Sequence, residues 1–140
     1  MVAFREPKDG YENNDCEDAV GYDSGLRAFS VSDGASASAR ASEWSGSLVQ
    51  AFLEPELTNR LDPFSCWELA RNKFESLPDS AETTTTDWWS SEVTRRGAFA
   101  TFLGVTISEE TSGYVWKSVA IGDTCVFHLR NGELLSLIHI

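Results

Sequence analysis

Four carboxylates stand where a short apolar stretch begins or ends. Glu17 and Asp18 precede Ala19-Val20, Asp33 closes Phe29-Ser30-Val31-Ser32, and Asp123 follows Ile121-Gly122. Oxygen donors without accompanying histidines or thiols suit a hard cation, Mg²⁺ or Mn²⁺, rather than zinc. In Asp33-Gly34 the carboxylate and a neighbouring backbone oxygen can face one point, an arrangement that holds such an ion. Taken alone, the same dipeptide reads better as a turn. Glu17-Asp18 alone reads as a solvated acidic edge, because adjacent carboxylates repel unless water or a cation separates them.

Other chemistries find less support. Gly34-Ala35-Ser36-Ala37-Ser38 begins like a nucleophile elbow but lacks the closing glycine, and the chain's two histidines, His128 and His139, lie in β segments near its end. No calcium-loop run of alternating aspartates occurs, and neither glycine-rich phosphate-cradling pattern is present. Cys16, Cys66 and Cys125 are widely spaced and odd in number, without zinc-ligand spacing, so they read as reduced thiols in a cytoplasmic protein.

The elements that must position these groups follow from periodicity. Residues 15–31 read as a β-hairpin, with a turn over Tyr22–Leu26, whose acidic end lies near Asp33. From Ser36 the period lengthens: Ala37, Ala41, Trp44, Leu48 and Phe52 share one face of a helix that Pro55 limits. Asp62 as N-cap and Pro63 at the first position start a second helix, with Trp67, Ala70, Phe74 and Leu77 as its expected buried face and Pro78 as its stop. Met1–Asn14 and Ser80–Thr86 read as loops, and Asp87 caps a short helix over Trp88–Arg96. Strands are expected over Ala98–Ile107, Tyr114–Ile121, Cys125–Leu129 and Leu134–Ile138, the last two joined by the hairpin turn Asn131-Gly132. The order β-β-α-α-β-β-β-β indicates an α+β domain with antiparallel sheet and helices segregated to a face.

Composition sets the outer limits. With 140 residues, 41% hydrophobic and 24% charged, the chain has the size and make-up of one globular domain. A net charge of −11 argues against a nucleic-acid partner, which requires a basic surface. No apolar run approaches a membrane span and no secretory h-region precedes the first strand, so no membrane association is expected.

Four stretches, in this order, resemble the metal-dependent protein phosphatases of the 2C type. They are Cys16-Glu17-Asp18-Ala19, Phe29 to Gly34, Gly97-Ala98-Phe99-Ala100-Thr101, and Val119-Ala120-Ile121-Gly122-Asp123-Thr124. The resemblance implies a four-layer α-β-β-α sandwich of two antiparallel sheets flanked by helices, with a binuclear Mn²⁺/Mg²⁺ site at one end. It implies Asp33 as the residue shared by two metals, Gly34 as a carbonyl ligand, Glu17 as a ligand to one ion and Asp18 as the holder of a water. Asp123 falls where some members bind a third ion. The implied activity is hydrolysis of phosphate monoesters on serine and threonine of a phosphoprotein, and the alternative is an inactive regulatory or binding module on the same fold. Two positions depart from the family: Asn13 stands where an arginine often binds phosphate, leaving Lys8 as the nearby cation, and Ala35-Ser36 replaces His-Gly. The family's catalytic domain is longer, with further ligands in later Asp-Gly and Asp-Asn segments. Residues 1–140 are therefore expected to be an N-terminal portion of that domain, ending in an apolar stretch, Leu135–Ile140, that reads as a truncated frame with little activity of its own.

Overall fold

The computed structural model describes residues 16–36, 38–58, 62–78 and 97–139. The expected loops over Met1–Asn14 and Ser80–Thr86, the helix over Trp88–Arg96, and Lys8 lie outside them. Six strands and three helices follow in the order β1 (Ala19–Asp23), β2 (Ala28–Ser32), α1 (Ala41–Phe52), α2 (Pro55–Thr58), α3 (Pro63–Ser76), β3 (Phe102–Glu110), β4 (Gly113–Ile121), β5 (Cys125–Arg130) and β6 (Glu133–His139). All pairings are antiparallel: β1-β2-β3-β4 form one sheet, β5 and β6 a second. The α+β class with two antiparallel sheets holds.

Side-chain alternation explains how the larger sheet receives its helices. Gly21, Ser30 and Gly104 are register partners across β1, β2 and β3, and with Ala28 they form a trough of small residues on one face. Helix α1 lies in that trough. A Cβ on Gly21 would come within 2.5 Å of Val49 and 2.6 Å of Leu53, and one on Gly104 within 2.4 Å of the Phe52 ring. These glycines therefore serve close approach. Phe52 meets Phe102 edge-on at 5.6 Å, and Trp44 meets Phe74 of α3 at 5.5 Å, so α1 joins the sheet to α3 in one apolar core.

Helix α3 starts as its sequence dictates: the Asp62 side chain accepts from the Phe64 N–H, and Pro63 needs no donor partner. Its buried stripe differs from the expected one. Cys66 and Ala70 are buried, whereas Trp67 is 40% and Leu77 39% exposed. The stripe facing α1 runs Cys66–Ala70–Phe74 at intervals of four. Trp67 lies one position off it and packs instead beside Phe64 (6.2 Å) and under Arg71 (5.7 Å). Helix α1 begins at Ala41 rather than Ser36, after Arg40 in a left-handed conformation, and Pro55 opens the single turn α2.

On the opposite face of the large sheet, Trp116 of β4 meets His128 of β5 edge-on at 5.6 Å. The expected turn at Asn131-Gly132 is present, both residues having positive φ (55° and 82°), as a two-residue hairpin of the primed type requires. Among the described residues no disulfide is formed. Among the described residues no helix is long and apolar enough to cross a membrane.

Candidate metal centre

Strand register brings the acidic residues together. Ala19 pairs with Ser32 at the end of the β1–β2 ladder, and continuing that register sets Asp18 opposite Asp33 and Glu17 opposite Gly34. The backbones do converge there: a Cβ on Gly34 would lie 2.7 Å from the Glu17 carbonyl oxygen and 2.8 Å from that of Ala41. Asp33-Gly34 is thus not a turn. The extended strand continues to an antiparallel bridge between Gly34 and Ala100, fixed by Thr101 N–H donating to the Asp33 carbonyl (2.8 Å) and Ala35 N–H donating to that of Phe99 (2.9 Å). This is the pairing in which the bridge residues' own N–H and C=O groups are left out of the ladder, so the Gly34 carbonyl does not face Ala100. Its glycine is required by the approach of two neighbouring carbonyls, not by a left-handed φ.

Serines that carried no chemistry in the sequence hold this corner. The Ser36 hydroxyl donates to the Glu17 carboxylate. Buried Ser45, on α1, donates to the Glu17 carbonyl (2.5 Å), tying the acidic segment to the helix. Ser38 donates to the Ala35 carbonyl (2.7 Å) and accepts from the Phe99 N–H (3.1 Å). Ser32 donates to the Thr101 carbonyl at 2.6 Å. Ser32, Ser36 and Ser38 thus latch the connection between β2 and α1 at its described residues, and their sequence signal was a density of small hydroxyl residues between a strand and a helix.

Asp123 stands farther off. Extending the β3–β4 register from Phe102–Ile121 sets Thr101 opposite Gly122, whose Cβ position lies 3.0 Å from the Thr101 side chain and whose φ is +89°. The Gly122-Asp123 corner is therefore about 10 Å, two strand spacings, from Asp33-Gly34. Asp123 is exposed. The corner is held by the Thr124 hydroxyl donating to the Phe102 carbonyl at 3.1 Å.

The carboxylates and backbone carbonyls at this sheet end are oxygen donors, which fits the chemistry of Mg²⁺ or Mn²⁺. Among the described residues no three His, Cys, Asp or Glu side chains come close enough together to hold a metal ion. Asp18 and Asp33, with Glu17 and the Gly34 carbonyl in the adjoining row of the extended register, are at most a partial ligand set. Comparison with protein-family models, with curated proteins and with solved structures finds no match for this chain.

Proposed function

We propose that the chain carries the central part of a Mn²⁺- or Mg²⁺-dependent phosphomonoesterase acting on serine/threonine phosphoproteins in the cytoplasm. One observation supports the reading: the β1–β2 ladder ends at Ala19–Ser32 with the Glu17 carbonyl close to Gly34, so its register, extended, would set Asp18 opposite Asp33 and Glu17 opposite Gly34, positions that the 2C-type resemblance assigns to the metal site. The chemistry that a divalent pair supplies when bound is a lower pKa for water and compensation of phosphate charge. The chain's own residues would do the rest. Asp33 and the Gly34 carbonyl hold cations, Asp18 accepts a hydrogen bond from water, and Ser36 fixes the rotamer of Glu17 through its hydroxyl. On this reading the remaining ligands, and any phosphate-binding role of Lys8, lie outside the described residues.

Titration calorimetry with Mn²⁺ tests it. The expectation is weak binding, in the millimolar range of a site with few carboxylates, abolished in Asp33→Asn and reduced in Asp18→Asn. Hydrolysis of p-nitrophenyl phosphate with added Mn²⁺ should be slow and lost in the same variant. Failure to bind Mn²⁺ at 10 mM, or equal binding by Asp33→Asn, would remove the metal site and favour the non-catalytic module.

A further inference from the structure

At the other end of the large sheet, residues of β3, β4 and β5 line an open cleft of about 650 Å³. It is roughly 14–20 Å along β3 from Thr101, by the rise of four to six strand residues, and shares no residue with the carboxylate corner. Its volume lies within the range of small-molecule sites. Val105 and Ile107 of β3 form the floor, Tyr114 and Trp116 of β4 one wall, and His128 and Arg130 of β5 the other.

The charge of this lining is opposite to that of the chain. The protein carries a net charge of −11, yet the cleft wall contains an arginine and a histidine and no carboxylate. Arg130 forms no salt bridge among the described residues, even though Glu133 is its ladder partner across the β5–β6 turn. Trp116 meets His128 edge-on, and the Arg27 guanidinium lies 5.6 Å from the Tyr114 ring. A flat apolar body would lie along Trp116 and Tyr114. A negative group at its end would meet the guanidinium fork of Arg130, the geometry that binds carboxylates with two parallel hydrogen bonds.

We propose that this cleft, between the face of β3–β4 and strand β5, binds a small aromatic carboxylate, with Trp116 as its stacking surface and Arg130 as its carboxylate anchor. The two are separable in a calorimetric titration with 2-naphthoate and its neutral counterpart 2-naphthylmethanol. The expected result is one site per chain, with the acid binding at least tenfold tighter than the alcohol. Arg130→Gln, at an exposed position, should keep the parent's circular dichroism and bring the ratio close to one. Trp116→Leu should weaken both compounds at least fivefold, while Trp67→Leu, on the exposed side of α3, should change neither. Equal affinity for acid and alcohol, an unchanged ratio in Arg130→Gln, or no binding of 2-naphthoate at 5 mM would each overturn the assignment.

Discussion

Substitution of Gly104 by alanine tests the seating of α1 most directly. The added methyl carbon would lie 2.4, 2.5 and 2.8 Å from three carbons of the Phe52 ring. Carbon atoms in contact prefer roughly 3.5–4.0 Å, so the overlap exceeds an ångström. Phe52 cannot turn away, being 1% exposed and set edge-on against Phe102. Forcing a methyl group into a packed core costs about 1–3 kcal/mol, and relief of glycine's backbone entropy returns about 0.5–1 kcal/mol. A net loss of about 1 kcal/mol follows, or about 4 °C in Tm for a domain of this size. Shortening the ring in Phe52→Leu should itself cost about 2 kcal/mol through lost burial. In Gly104→Ala/Phe52→Leu, however, the methyl occupies the space the ring vacates, so urea denaturation should show the double variant at least 1 kcal/mol more stable than the sum of the single losses. Strict additivity, or a Gly104→Ala chain as stable as the parent, would refute the packing argument.

Three further outcomes are expected. Ser30 is 2% exposed and its hydroxyl has no partner among the described residues; Ser30→Ala should therefore raise unfolding free energy by about 1 kcal/mol in urea melts, and a loss of that size would reveal a bond to the hydroxyl. Gly34→Ala places a methyl 2.7–2.8 Å from two backbone carbonyl oxygens that belong to a strand lead and a helix start, so it should cost more than about 2 kcal/mol and remove Mn²⁺ binding together with stability. Burial, then the nearby Asp62 carboxylate, pushes the Cys66 thiol up from 9.0 to about 11. Because the folded value is raised, its contribution is complete below pH 9 and is lost as pH rises through 11. The stability difference between parent and Cys66→Ala should shrink by about 3 kcal/mol across that window, and a pH-independent difference would contradict it.

Local signals were legible where one residue dictates one backbone geometry. Asp62-Pro63 marked the start of α3, Asn131-Gly132 the β5–β6 turn, and the spacing Ala41–Trp44–Leu48–Phe52 the buried face of α1. Phase was harder to read. Trp67 is large and apolar, but α3 faces its neighbour with the small residues Cys66 and Ala70, because interhelical closeness is governed by what can fit rather than by what is most hydrophobic. At the acidic corner the participants were visible and their arrangement was not. Asp33-Gly34 has the composition of a turn, and only the long-range bridge to Ala100 makes it strand. The roles of Ser36, Ser38 and Ser45 likewise depend on carbonyls and carboxylates brought in from residues 17 and 99, which no local pattern encodes.

The insertion of α1, α2 and α3 between two neighbouring strands also sets how this sheet can assemble. The β1–β2 and β3–β4 hairpins are local and can form within microseconds. The seam between them is not, since Val31 pairs with Leu103. Closing a loop of 72 residues costs about 4 kcal/mol of chain entropy before one hydrogen bond of that seam is made. Helix α1 is the element that can offset this, because it packs on β1, β2 and β3 at once and so stitches the halves together. Folding should accordingly slow when α1's contacts with β3 are weakened, and leave the rate of hairpin formation untouched.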